Sequence, residues 1–349
     1  MKPARPFDFA SDNSVGVDRR IFAALADCNH GTTTPYGVDE LSMRLNEVYS
    51  AVFERKTYVF ATPTGTAANG LALGAVAPQW GAIFCHEKAH IVTTECGAPE
   101  FFSGGARLIL LPGGHHKITP ETLRDALKPY QTGNLHQLRP AALSIAQATD
   151  GGTIYDCSEL ASLAQLAHDA QMKVHMDGAR FTNALVQLGV SPAEMTWRAG
   201  VDILSFGLTK NGAMNVEAVI TFDPEIATTL RYLHKRAGFL YSKMRFAAAQ
   251  LHAYVTDGLW LENARKANAN AQRLVRALLV NPSVKLEHAV QANQVFIHLP
   301  PAVIDQLAAG DFKLRPWSHP QGDLFRLVAS YCDSEATLSR FEQALTQGR

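Results

Sequence analysis

Neither sign of charge is in excess in this sequence: 32 Lys and Arg face 32 Asp and Glu in 349 residues. A chain without a basic field argues against nucleic acid and anionic lipid as partners and favours a small molecule. Long apolar runs are also missing. None approaches the ~18 residues of a membrane helix, and residues 1–8 lack the apolar centre of a secretory signal, so no membrane association and a cytoplasmic location are expected. Cysteine is scarce. The five residues (Cys28, Cys85, Cys96, Cys157 and Cys332) include no C-x-x-C pair, which speaks against a disulfide framework or a zinc site and predicts buried free thiols. No Gly-x-Gly-x-x-Gly follows the first strand-like run, which disfavours a nicotinamide-binding dehydrogenase. There is no internal repeat and no low-complexity tract.

What is present is a succession of short apolar runs at 57–61, 82–85, 106–111, 141–146, 172–176, 203–206 and 218–222. Their apolarity is continuous rather than alternating, as in strands covered on both faces, and helical stripes such as 158–170 separate them. The pattern predicts an α/β large domain built on a mainly parallel seven-stranded sheet. From Tyr241 the spacing becomes helical as far as Leu279, and short strands at 284–289, 295–299 and 324–329 then mix with a helix at 334–344. These imply a smaller C-terminal α+β domain, with residues 1–250 and 251–349 as the two units and the long helix at their boundary. Gly113-Gly114-His115-His116 has no acidic or cysteine neighbour and is expected to be a solvated turn rather than a metal site.

Two of the runs deliver chemistry. Val174-His175-Met176-Asp177-Gly178-Ala179-Arg180 ends an apolar run on an acid, and Asp202-Ile203-Leu204-Ser205-Phe206-Gly207-Leu208-Thr209-Lys210 ends another on an amine. That pairing suits pyridoxal phosphate: the lysine amine condenses with the cofactor aldehyde, and the carboxylate keeps the pyridine nitrogen protonated so that the ring accepts electrons. Upstream, Thr62-Pro63-Thr64-Gly65-Thr66-Ala67-Ala68-Asn69 turns from a strand into a helix. Backbone N–H groups of Gly65, Thr66 and Ala67 at such a helix start suit a phosphate.

His90 follows the run at 82–85, at the strand end where ligands gather in open sheets. Its imidazole can stack on a pyridine ring and accept a proton. Arg180 stands three residues after Asp177, and Arg326 lies within an apolar strand of the small domain, so it needs an anionic partner. Two arginines from different domains can close on an amino acid carboxylate.

These residues resemble the low-specificity L-threonine aldolases among the fold type I, aspartate-aminotransferase-like pyridoxal phosphate enzymes. The resemblance runs from Phe9-Ala10-Ser11-Asp12-Asn13 through Thr34-Pro35-Tyr36-Gly37, the Thr64-Gly65-Thr66 turn, His90, Asp177-Gly178-Ala179-Arg180 and Lys210 to Met244-Arg245 and Arg326-Leu327-Val328. It implies that Lys210 carries the cofactor, that His90 stacks on it, and that Ser11, Arg180 and Arg326 bind the substrate carboxylate. Tyr36 and Arg245 match positions contributed by a neighbouring subunit, which implies a homodimer or homotetramer with shared sites. The activity implied is retro-aldol cleavage of L-threonine, L-allo-threonine and related β-hydroxy-α-amino acids to glycine and an aldehyde. The chain departs from the family pattern at Thr149, where many members have a histidine near the substrate hydroxyl, and at Asn211-Gly212-Ala213 after the lysine. A threonine hydroxyl is a poor base, so His90 is expected to take the proton and Thr149 to serve as a hydrogen-bond partner. Another fold type I enzyme, such as a β-eliminating lyase or aminotransferase, shares Asp177 and Lys210, as does a cofactor-binding protein without turnover.

Overall fold

All seven apolar runs become strands of one sheet in the computed structural model, which describes residues 9–130, 133–317 and 322–346. They are β1 (Tyr58–Thr62), β2 (Gly81–His86), β3 (Arg107–Leu111), β4 (Arg139–Ala146), β5 (Lys173–Gly178), β6 (Ile203–Phe206) and β7 (Glu217–Thr221), in the order β1-β7-β6-β5-β4-β2-β3. The pairs from β3 across to β6 are parallel. Only β7 runs the other way, antiparallel to both β6 and β1. Strands β2, β6 and β7 are buried along their whole length, which explains their unbroken apolarity. Because β1, β2, β4, β5 and β6 point the same way, the turns after them open on one edge of the sheet.

Helices cover both faces. Cys157–Asp169 starts with a reciprocal cap between Asp156 and Glu159; of the stripe read from the sequence, Leu160, Leu163, Leu166 and Ala167, all are buried but Leu166, which is partly buried against the same core. The helical stretch expected without interruption from Tyr241 to Leu279 is in fact two helices, Arg245–Val255 and Leu259–Leu278. Asp257 and Gly258 between them take φ of 51° and 70°. The left-handed conformation that Gly adopts without penalty breaks the helix although the apolar spacing continues through it.

A second sheet, β8 (Lys285–Leu286), β9 (Gln294–His298) and β10 (Leu324–Val328), is antiparallel in the order β10-β9-β8. Its core joins Leu274, Val295, Ile297, Phe312, Leu327 and Phe341 with Phe9 from the other end of the chain. Leu259 and Trp260 belong to the core of the large sheet, whereas Ala271 and Leu274 belong to the small one, so a single helix serves both.

The expectation of buried thiols needs correction. Of the five free thiols only Cys85 is fully buried; Cys28 and Cys157 are partly exposed, and Cys96 and Cys332 face solvent, since each of those four lies at a helix end or in a turn. The 113–116 turn is exposed through His115, as expected; only His116 is half-buried, stacking on His86 with ring centroids 5.4 Å apart, while His115 meets His288 edge-on at 5.2 Å. No helix among the described residues is long and apolar enough to cross a membrane.

Phe53 is fully buried among the rings of Phe181, Phe206 and Phe222 beneath the sheet. Phe53→Ala should lower unfolding free energy by about 3–5 kcal/mol, read from the urea midpoint, because the gap cannot collapse against a β-sheet. A loss below about 1 kcal/mol would mean that this aromatic group is not the anchor of the core.

Candidate active site

The turns at the carboxyl edge of the sheet surround a cavity of about 340 Å³ whose wall includes Asn13, Gly65, Thr66, His90, Asp177, Gly207, Lys210 and Glu217. The loop after β6 reaches it in a short turn, Thr209–Asn211, that carries Lys210. Two constraints shape that loop. A Cβ at Gly207 would lie 2.5 Å from the Ala179 carbonyl oxygen, so only glycine lets the ends of β5 and β6 close. Glu217, on the antiparallel strand β7, accepts the Leu208 N–H and, at 3.4 Å, that of Thr209. Burial pushes its carboxyl pKa up, with Lys210 among the groups that draw it back. Among the described residues the Lys210 amine has no hydrogen-bond or ion-pair partner, which leaves it free to react.

Asp177 ends β5 in a buried position. Its Oδ1 accepts the Ala179 N–H at 3.0 Å and its Oδ2 accepts from the Asn69 amide at 2.9 Å. His90 opens a short helix, with its backbone N–H on Asp150 Oδ2 at 2.9 Å and its Nδ1 on Glu95 Oε1 at 2.6 Å. The hydrogen bond to Glu95 is the main reason the imidazole pKa lies above its ordinary 6.5; burial opposes it, and the charges of Asp177 and Asp150 add to it. Burial raises Glu95 as well, and its Oε2 is buried without a partner. His90, Glu95 and Asp177 each bring a ligand atom within 4.8 Å of the others, the spacing of a cation site. Asn69 and the His90 Nδ1–H already occupy Glu95 Oε1, and Asn69 also occupies Asp177 Oδ2, so these three residues and the amide form a chain of hydrogen bonds.

The sequence-predicted residues divide into those that meet here and those that do not. Lys210, Asp177, His90, Gly65 and Thr66 share the cavity wall. At the helix start, the Ala67 N–H is taken by the Thr64 hydroxyl at 3.1 Å, so the amides left for a phosphate are those of Gly65 and Thr66. Arg180 donates from Nε and Nη2 to Asp12, each at 2.8 Å, leaving Nη1 as its uncommitted nitrogen. Arg326 lies over the Trp317 ring at 4.2 Å and donates to the Ala10 carbonyl at 3.3 Å. Ser11 caps the turn Asp12–Ser14. Thr149 is sealed: its hydroxyl bonds Thr153 Oγ1 at 2.8 Å and does not reach the cavity. Tyr36 and Arg245 also stand away from it, Tyr36 exposed beside Lys235 and Arg245 on a separate cavity of about 710 Å³.

Sequence reasoning missed Asp12, Asn69, Glu95, Asp150 and Glu217. The one legible signal was Glu217, an acid inside an apolar strand.

A free lysine amine, a buried carboxylate at the end of the adjacent strand and uncapped amides at a helix start fit pyridoxal phosphate, and together with the topology define a fold type I enzyme. Comparison with known proteins agrees. The family model for beta-eliminating lyases matches residues 8–300. The low specificity L-threonine aldolase of Pseudomonas aeruginosa is 41% identical over 301 residues, 86% of each chain. That of a second Pseudomonas strain is 40% identical over 299 residues, again 86% of each. The solved structure of Leishmania major threonine aldolase, 25% identical, superposes with a TM-score of 0.90 over 98% of this chain and 99% of that one. The chain belongs to the beta-eliminating lyase family, on the branch that holds these threonine aldolases, and that membership implies pyridoxal phosphate.

The raised pKa of His90 gives a testable pH dependence. A group whose folded pKa exceeds its unfolded one adds stability that is fully present below pH 6.5 and is lost as pH rises through the folded value. Glu95→Gln removes the main cause. Wild type should therefore be more stable than the variant at pH 6, with the gap narrowing toward pH 8 in urea titrations. A gap independent of pH would show that the His90–Glu95 pair holds no extra proton.

Proposed function

We propose that this chain is a pyridoxal-phosphate-dependent aldehyde-lyase that cleaves L-threonine, L-allo-threonine and related β-hydroxy-α-amino acids to glycine and an aldehyde. The observation that carries the reading is the meeting of three groups on one cavity: the amine of Lys210, the buried carboxylate of Asp177, and an imidazole whose Nδ1 is committed to Glu95. The identity to L-threonine aldolases over most of the chain supports it.

Lys210 would hold the cofactor, Asp177 would face its ring nitrogen, His90 would lie against the ring, and the Gly65 and Thr66 amides would bind its phosphate. When bound, the cofactor supplies the electron sink for the pair released as Cα–Cβ breaks. The protein's own part begins with the carboxylate clamp. Arg326 has no carboxylate partner among the described residues, and its pKa is lowered by burial and then by the nearby charge of Arg180. Two neighbouring guanidiniums of which only one is neutralised suit an incoming carboxylate, with Ser11 beside them. Holding that group fixes which bond at Cα stands in line for cleavage. With Nδ1 bound to Glu95, the free Nε2 of His90 is the nitrogen that takes the β-hydroxyl proton, the arrangement by which a carboxylate orients a general base. Thr149 then acts through the loop it closes with Thr153 rather than by touching substrate.

Tyr36 and Arg245, both away from this chain's own cavity, are assigned to a neighbouring copy, in a homodimer or homotetramer. The free state of all five cysteines supports a cytoplasmic location.

Incubation with L-threonine and L-allo-threonine should yield glycine and acetaldehyde from both, and nothing from the D-isomers. His90→Asn should lose activity about 100-fold or more, the scale of general base catalysis, and Thr149→Ala much less. Ammonia with a keto acid in place of glycine would overturn the reading in favour of elimination, and the reverse order of damage would remove His90 as the base.

A further inference from the structure

Between residues 67 and 76 the helix Gly65–Val76 consists of Ala, Gly, Leu and Val with one exception, Asn69. A buried amide in such a helix needs hydrogen-bond partners. Asn69 is 2% exposed and spends its Nδ2 on two acids at once, Glu95 Oε1 at 2.8 Å and Asp177 Oδ2 at 2.9 Å. Glu95 Oε1 also accepts from His90 Nδ1 at 2.6 Å. The imidazole, the two carboxylates and the amide between them thus form one chain, Nδ1–H to Glu95, then the two N–H groups of Asn69 to Glu95 and Asp177.

Resting on the function proposed above, we propose that Asn69 is a positioning residue that joins the His90 base to the Asp177 carboxylate, so that the hydrogen-bond chain through its amide sets the strength of the His90 base. The groups facing His90 are Glu95, Asp177 and Asp150, whose own neighbours include Arg180 and Lys210. Facing Glu95 are His90, Asn69 and Asp177. The charges that act most on the imidazole, those of Asp177, Asp150 and Glu95, are negative, and Asn69 is the neutral donor that two of these anions share. Hydrogen bonds to a carboxylate stabilise its charged form. Removing them makes the cluster hold its proton more tightly, which raises the pH at which His90 becomes a free base.

The test uses the holoenzyme with Asn69→Leu, which donates nothing, and Asn69→Ser, which donates once. His90 is followed through its imidazole NMR signals without substrate, assigned by their loss in His90→Asn, and the acid limb of kcat/KM is followed with substrate. Both midpoints should rise, by about one pH unit in Asn69→Leu and by less in Asn69→Ser. If Asn69→Leu does not fold, Asn69→Ser decides alone. A residue that merely fills space would change stability or cofactor content and leave both midpoints in place, and that result overturns the proposal. The NMR titration needs no substrate: a shifted imidazole in a protein that makes no glycine would sink the aldolase reading and leave the coupling intact.

Discussion

One buried ion pair, Asp12 to Arg180, joins the three parts of the chain that enclose the site. Asp12 comes from the first described turn, Arg180 from the end of β5, and the Asn293 amide before β9 donates to the same carboxylate at 3.0 Å while also holding the Ala329 carbonyl. Burial alone would raise the Asp12 pKa, yet the charges of Arg180 and Lys210 and the hydrogen bonds from Arg180 and Asn293 hold it below the usual value. The carboxylate therefore stays charged. Breaking such a pair by removing one partner costs about 3–5 kcal/mol, since the other charge remains buried. On either side of it, Val328 donates to the Phe9 carbonyl at 2.7 Å and Arg326 to that of Ala10, so the N-terminal segment is stitched to the small sheet.

That arrangement explains why one arginine is neutralised and its neighbour is not. Arg180 is locked by the chain's own acid, which fixes the end of β5 and with it Asp177. Arg326 keeps its charge beside another cation, with Trp317 stacked on it, a state that an anion relieves. Around His90 the effect is reversed: Glu95, Asp150 and Asp177 all favour a protonated imidazole. A site with cations where a carboxylate would be gripped and anions where a proton would be taken separates binding from proton transfer.

The sheet was legible because strands covered on both faces must be apolar at every position, and all seven appeared within a residue or two of their observed ends. Lys210 and Asp177 were legible because each is a charge at the end of such a run. Their supports were not. Asp12 and Arg180 are 168 residues apart, and Asn69 and Asp177 are 108 apart; no local spacing encodes those meetings. Thr149 stands where the family pattern suggested a substrate contact, but its hydroxyl is satisfied within its own loop. The break at Asp257-Gly258 was not read, because helical spacing continues on both sides of it.

The central claim is that the Lys210 amine, without a hydrogen-bond or ion-pair partner among the described residues, is where the cofactor attaches. Borohydride reduction of the holoenzyme followed by peptide mapping tests it most directly. The pyridoxyl group should appear on Lys210, and Lys210→Ala should fold normally yet carry no reducible cofactor. A label on a different lysine, or a folded Lys210→Ala protein that still binds the cofactor covalently, would contradict the assignment of this cavity as the active site.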